Sequence, residues 1–149
     1  MCERYYINTE LRILSRNINK YFINYGNRRK IDKMTGSGAW IIAYIAENIH
    51  RDIFQRDLEK EFDITRSTAS KNVDLLVKNG FIEREPVEYD ARLKKLVLTE
   101  KSKEIFKIMR NDRATLEAQM LLGFSEEEKK QLRGFLKRLS KNIETGEEF

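Results

Sequence analysis

The sequence contains few of the residues from which disulfides, metal sites and catalytic centres are built. Its one cysteine, Cys2, excludes an internal disulfide framework. Its one histidine, His50, has no second histidine or cysteine at ligand spacing, which argues against a metal site. Nucleophilic catalysis needs a base beside a serine or cysteine, and His50 lies in a predicted linker. The segment Gly36-Ser37-Gly38 is too short for a phosphate-binding loop. We therefore expect no enzyme and no cofactor.

Long apolar runs are also absent. No apolar stretch approaches the length of a membrane span and no signal-peptide pattern is present, so we expect a soluble, cytoplasmic protein without a membrane partner. One proline and seven glycines in 149 residues leave few natural breaks, which predicts a mostly α-helical chain. The net charge is +5, and residues 64–103 alone carry +3. This balance suits a polyanionic partner, although many proteins without one have a similar charge.

One segment has a start signal, a stop signal and two unlike faces. The run from Ile64 to Asn79 predicts a helix that Thr65 caps and that ends at Gly80. At helical spacing, one face is apolar: Ala69, Val73, Leu76 and Val77. The other face is short, polar and partly cationic: Ser67, Ser70, Lys71, Asp74 and Lys78, with Arg66 and Thr68 in the first turn. Such a face suits close contact with phosphates and base edges, although taken alone it also fits a solvated helix surface.

The neighbouring segments predict a winged helix-turn-helix. Gln55–Phe62 is a second short helical pattern that a tight turn joins to the first. Downstream, Phe81–Val87 and Lys95–Leu98 are strand candidates, and Glu88–Lys94 is the predicted loop between them. Pro86 cannot donate a ladder hydrogen bond, so its strand is expected at an edge.

The runs STASKNVDLLVKNGFIERE and YDARLKKLVLTEKSKEIF resemble the MarR (multiple antibiotic resistance regulator) family of bacterial transcription factors. The resemblance extends to MTGSGAWIIAYIAEN before them and GFSEEEKKQLRGFLKRL after them, so it covers most of the chain. Its most specific element is Asp90-Ala91-Arg92. The resemblance implies that Arg92 enters the minor groove of DNA, that Asp90 holds its side chain in place, and that the protein is a dimer.

The flanking segments predict further helices. Ile7–Tyr25 has a nearly heptad apolar stripe, which could cover the chain's own core or pair with another subunit. The cluster Arg28-Arg29-Lys30 is expected in a loop. Thr35–Asn48 is the predicted core helix, capped by Thr35 or Ser37. Ile53 and Phe54 form a candidate short strand beside the hairpin.

Beyond the hairpin, Thr99–Leu122 is a long helical pattern, and Ser125 with Glu128 has the spacing of a capping box that opens a last helix. Apolar stripes at both ends of the chain favour a two-fold dimer. We thus predict one domain over residues 1–149, in which a winged helix-turn-helix core (34–100) is flanked by dimerisation helices (1–33 and 101–149).

The leading hypothesis is a sequence-specific DNA-binding regulator, a repressor that binds a pseudo-palindromic duplex as a homodimer and is released by a small effector. The residues expected to contact DNA are Gln55, Arg66, Ser67, Thr68, Ser70, Lys71, Lys78, Asp90, Arg92, Lys94 and Lys95. The resemblance implies an aromatic or carboxylate-bearing effector, for which Trp40 and Tyr44 are candidate ligands. Two alternatives remain: a winged helix that binds protein rather than DNA, and a regulator that senses oxidants through Cys2.

Overall fold

The computed structural model describes residues 6–144. Within that range the order of elements is α1 (Ile7–Asn24), α2 (Arg28–Thr35), α3 (Ala39–Glu47), α4 (Gln55–Glu61), α5 (Arg66–Lys78), β1 (Ile82–Val87), β2 (Asp90–Leu98), α6 (Glu100–Met120) and α7 (Glu126–Glu144). The two strands form one antiparallel hairpin. A helix-turn-helix followed by a hairpin, set among long helices, confirms the predicted fold class.

The chain divides into two compact units, Met1–Arg113 and Ala114–Phe149. The first unit contains a single apolar core to which α2 to α6 and the hairpin contribute. Its buried members are Ile31, Ile41, Ile42, Ile45, Ile53, Leu58, Val73, Leu76, Phe81, Ile82, Leu96 and Ile105. Burying one such side chain stabilises the fold by about 1.5–3 kcal/mol. This shared core therefore fixes α5 and the hairpin relative to each other.

Helix α5 begins and ends where the sequence predicts. The Thr65 hydroxyl accepts a hydrogen bond from the Thr68 backbone N–H at 3.1 Å, which caps the first turn. Gly80 has a φ of 75°, the left-handed conformation that lets the chain leave the helix sharply. The inward face consists of the predicted residues, the buried Ala69, Val73 and Leu76 and the half-buried Val77.

Helix α4 is packed against α5 by Leu58, which is completely buried. The Asp57 carboxylate accepts a hydrogen bond from the Phe54 backbone N–H at 2.8 Å and so closes the start of α4. Phe62, which ends the predicted helical pattern, is 38% exposed and lies against Trp40 instead of in the core. Asp63 makes the tight turn to α5 with a φ of 47°.

The hairpin differs from the prediction at its tip. The predicted loop Glu88–Lys94 is wrong, because β2 already begins at Asp90 and only Glu88 and Tyr89 form the turn. Pro86 pairs with Lys94 and Val87 pairs with Asp90, with a shift of register between these two pairs. The residues of β2 between Asp90 and Lys94 therefore have no partner in β1. With two strands in the sheet, both are edges, so Pro86 stands at an edge as expected. Ile53 and Phe54, the candidate short strand, are not in a strand. The Ile53 carbonyl nevertheless accepts a hydrogen bond from Leu96 N–H of β2 at 2.7 Å.

The structure corrects the segment between α1 and α3. Arg28, Arg29 and Lys30 lie in the first turn of α2 and not in a loop. Thr35 ends this helix instead of capping the next one: its buried hydroxyl donates to the Ile31 carbonyl at 2.9 Å. Gly36, with a φ of 58°, then reverses the chain, and α3 starts only at Ala39, without a side-chain cap from Ser37.

The second unit contains the end of α6 and all of α7. The predicted capping box is present, since Ser125 N–H donates to the Glu128 carboxylate at 2.7 Å and Glu128 N–H donates to the Ser125 hydroxyl at 3.2 Å. The hydrogen bond from the Ser125 backbone lowers the pKa of the Glu128 carboxyl below its ordinary value. Across residues 6–144, no helix has both the length and the apolarity that a membrane span requires.

Candidate nucleic-acid interface

The polar face of α5 is accessible along its first two turns. Arg66, Ser67, Thr68 and Lys71 are exposed, and Ser70 is half-buried. The Thr68 hydroxyl accepts a hydrogen bond from the Thr65 hydroxyl at 2.9 Å, so Thr68 is part of the helix cap as well as of this face. The face thus offers short hydroxyls close to the helix axis and two longer cations beside them. This combination can approach a phosphate backbone and reach base edges in a major groove.

The hairpin, hereafter the wing (Ile82–Leu98), carries two exposed cations near its tip. Arg92 and Lys94 are exposed, whereas Lys95 is half-buried and pairs with Asp52 at 3.3 Å. The Asp90 carboxylate accepts a hydrogen bond from the Arg92 backbone N–H at 2.9 Å. In this structure Asp90 therefore orders the backbone of Arg92, whose side chain is exposed.

Gln55 and Lys78 lie at the margins of this surface. Gln55, in the first turn of α4, is half-buried and donates to the Glu59 carboxylate at 3.1 Å. Lys78 is exposed at the end of α5. Twelve residues separate it from Arg66, or about 18 Å along the axis. Both ends of α5 can lie near DNA only if the helix axis runs along the sugar–phosphate backbone. Gln55 and Lys78 are therefore the outermost residues of the predicted set.

A contact between the wing and α5 was missed by sequence reasoning. Arg84 of β1 donates to the Asp74 carboxylate of α5 at 2.6 Å, and the Ser70 hydroxyl donates to the other oxygen of Asp74 at 3.3 Å. The hydrogen bond from Arg84 lowers the pKa of the Asp74 carboxyl below its ordinary value. The sequence does show Asp74 as the one carboxylate on a face of hydroxyls and cations. It does not show that Arg84 is its partner, because Arg84 is ten residues away on another element.

A cavity of about 510 Å³ lies in the first unit, where residues of α1, α2, α3, α6 and the end of α4 line it. Trp40 and Tyr44 line it, as does Phe62, whose ring is 4.4 Å from that of Trp40 and 5.5 Å from that of Tyr44 between centroids. Its charged lining residues are two arginines, Arg28 and Arg113, and four acids, Asp32, Glu47, Glu61 and Asp112. The structure thus brings the two predicted effector ligands into one wall of a single cavity.

Cys2 lies outside the described residues. Among residues 6–144, no three histidine, cysteine, aspartate or glutamate side chains are grouped so that they could hold a metal ion.

Comparison with known proteins identifies relatives of the segment that contains the helix-turn-helix. Residues 33–93, from the end of α2 into the wing, match the model of the MarR family. The chain is 34% identical to the HTH-type transcriptional regulator YybA of Bacillus subtilis over 97 residues, which are 65% of this chain and 65% of YybA. The chain therefore spans just under two thirds of the length of this curated relative.

Solved structures cover nearly the full length. A MarR protein from Peptoclostridium difficile is 25% identical and superposes with a TM-score of 0.72 over 97% of this chain and 94% of its own. A MarR family transcriptional regulator from Listeria monocytogenes, complexed with a 26mer DNA, is also 25% identical, with a TM-score of 0.72 over 93% of this chain and 89% of its own. The Bacillus subtilis and Listeria monocytogenes relatives are named as transcriptional regulators.

Proposed function

We propose that the chain is a transcriptional regulator of the MarR family, whose model its residues 33–93 match, and that it binds a pseudo-palindromic operator as a homodimer and represses transcription until a small effector releases it. The observation that carries this proposal is the joint exposure of two cationic elements that one core holds together. Arg66 and Lys71 project from α5, and Arg92 projects from the wing. A helix of this kind fits the major groove and a guanidinium fits the narrow minor groove beside it.

Unpartnered apolar faces support the homodimer. Helix α1 exposes Ile7, Leu11 and Leu14, and α7 exposes Leu132, Phe135, Leu136, Leu139 and Ile143. Soluble monomers rarely leave apolar stripes of this length uncovered. A second copy of the chain covers them by two-fold symmetry and at the same time presents two α5 helices to the duplex. The half-sites are then expected about one helical turn, or about 34 Å, apart.

The cavity supports regulation by a small aromatic carboxylate. Its volume of about 510 Å³ lies within the range of about 300–1,000 Å³ that is typical of small-molecule sites. Trp40, Tyr44 and Phe62 provide ring contacts, while Arg28 and Arg113 provide cations that a carboxylate would pair with. Arg28 pairs with Asp32 at 3.3 Å and Arg113 pairs with Glu47 at 2.9 Å, so an anionic ligand would compete with both carboxylates.

Contacts between the cavity and α4 support release from DNA. The Tyr44 hydroxyl accepts a hydrogen bond from the Arg51 guanidinium at 2.7 Å, and Arg51 lies 3.6 Å from the carboxylate of Asp57, which closes the start of α4. Phe62, directly after the end of α4, is in the cavity wall. A ligand that displaces Tyr44 or Phe62 would therefore move the helix that braces α5.

Operator binding is expected to weaken steeply as salt is raised, because the cations displace counterions from phosphates. If Arg66, Lys71 and Arg92 of both subunits each neutralise one phosphate, log K should fall with log salt with a slope of about −5. Lys71→Ala should reduce this slope by about one for each subunit. Fluorescence anisotropy with a labelled duplex, from 50 to about 300 mM salt, measures both slopes. The matched control is Lys137→Ala, which removes an exposed cation of α7. A flat titration would contradict the proposal and favour a winged helix that binds protein.

Trp40, the one tryptophan of the chain, provides a direct assay for the effector. Titration with 4-hydroxybenzoate should change its emission in a saturable way, and Arg113→Ala should weaken this response because the carboxylate loses a cation. The control variant is Arg110→Ala, which removes another cation of α6 that is not in the cavity wall. An emission that stays constant with this and related aromatic acids would contradict an aromatic carboxylate effector at this site.

A further inference from the structure

The acidic residue of α5 stands within the surface that the proposed function directs at DNA. Asp74 is the one carboxylate among the thirteen residues of α5. It follows Ser67, Ser70 and Lys71 on the same helical face and borders the same surface depression as those residues and Arg66. A free carboxylate at this position would repel the phosphates that its cationic neighbours attract.

The wing supplies the countercharge. The Arg84 guanidinium of β1 reaches across to the Asp74 carboxylate at 2.6 Å, and the Ser70 hydroxyl donates to the second oxygen at 3.3 Å. Both oxygens of Asp74 are therefore engaged within the protein. The Arg84 side chain is 34% exposed and that of Asp74 is 60% exposed, so the pair lies at the surface and not in the core.

An exposed ion pair of this kind contributes little to folding stability. Arg84 is also ten residues from Asp74 in sequence and on a different element, so the pair forms only when the wing packs against α5. Its position beside the DNA-facing residues gives it a different consequence. The ion pair cancels the one negative charge of α5 and links the wing, which carries Arg92, to α5.

On the basis of the proposed function, we propose that Arg84 is a positioning residue for DNA binding, which masks the charge of Asp74 and joins the wing to α5 without itself contacting the duplex. Two consequences distinguish this role from a phosphate contact by Arg84. Loss of Arg84 matters because Asp74 is left unpaired, so removal of the Asp74 charge should compensate for it. The repulsion from an unpaired Asp74 is also screened, so the defect should shrink as salt is raised.

The test is a double-mutant cycle with wild type, Arg84→Ala, Asp74→Asn and the double variant. Each is titrated by anisotropy into a labelled duplex recovered from random-sequence DNA by selection on the wild-type protein. Arg84→Ala should bind on the order of tenfold more weakly than wild type at low salt, and less than that at high salt. Asp74→Asn should bind within about twofold of wild type, and the double variant within about threefold.

Arg138→Ala is the matched control for net charge, since it removes an exposed arginine of α7. Thermal unfolding of all variants should stay within about 4 °C of wild type, as expected for an exposed pair. Arg84→Lys should retain most of the binding, because it keeps the masking charge.

A double variant that binds as weakly as Arg84→Ala would overturn the inference, since Arg84 would then act by direct contact or through the fold alone. So would an Arg84→Ala protein that binds like the Arg138→Ala control. If instead the wild type recovers no duplex from the random pool, the proposed function fails, and the masking role fails with it.

Discussion

Arg92→Ala is expected to weaken operator binding by about 1–3 kcal/mol, which corresponds to about 5- to 150-fold in Kd. Arg92 is exposed near the tip of the wing, and the Asp90 carboxylate holds its backbone N–H at 2.9 Å. The guanidinium therefore starts from an ordered backbone and loses less freedom when it enters a minor groove. The negative potential is concentrated there, so one cation has a larger effect than on an open phosphate.

Two further variants separate this groove contact from general charge. Arg92→Lys keeps the charge but not the planar guanidinium, and it should recover only part of the affinity. Arg138→Ala removes an exposed arginine of α7 and should leave binding nearly unchanged. Anisotropy titrations at a single salt concentration give all three values. An Arg92→Ala protein with the affinity of the Arg138→Ala control would remove the wing from the proposed interface.

Leu136→Asp is expected to produce monomers and to lower operator affinity by about 10²–10⁴-fold, because the linkage between two half-site contacts is lost. Leu136 is 43% exposed in the middle of the apolar stripe of α7, between Leu132 and Leu139. A carboxylate placed there would be buried unpaired if a second copy covered the stripe, which is strongly unfavourable. Sedimentation equilibrium measures the mass and anisotropy measures the affinity.

Lys137→Asp is the matched control for this substitution. It introduces the same side chain one residue later, away from the stripe. Circular dichroism should show an unchanged helix content for both variants, because neither position is buried in the subunit. A Leu136→Asp protein that stays dimeric with wild-type affinity would contradict the use of α7 in the dimer.

The features that sequence analysis predicted correctly depend on neighbouring residues. Thr65 caps α5, Gly80 ends it, and Ser125 with Glu128 opens α7, each through contacts over one turn of helix. The apolar face of α5 follows in the same way from helical periodicity. These local signals, together with the Asp90-Ala91-Arg92 motif, were sufficient for the fold class and for the resemblance to the family.

The errors occur where one residue type serves two local structures. Thr35 has the side chain of a helix cap, but its hydroxyl bonds back to Ile31 and it ends α2 instead of starting α3. At the wing tip, the charged residues after Tyr89 suggested a loop. These residues nonetheless belong to β2, with a shift of register near Pro86.

The Arg84–Asp74 pair and the cavity could not be predicted from sequence because packing creates them. Phe62 has the spacing of a core residue on α4, and only the position of α3 shows that it faces Trp40 and Tyr44. Trp40 and Tyr44 were named as effector ligands, but the cations that complete the cavity wall, Arg28 and Arg113, belong to α2 and α6. No local pattern relates these four residues.

Selection of bound fragments from random-sequence duplex DNA, with the purified protein at physiological salt, tests the central claim most directly. Two copies of α5 and two wings should enrich an inverted repeat with half-site centres about 10 base pairs apart, flanked by A·T-rich minor grooves where Arg92 inserts. Recovery of fragments without a shared motif, or of a single unrepeated half-site, would contradict the proposal that a two-fold dimer reads successive turns of the duplex.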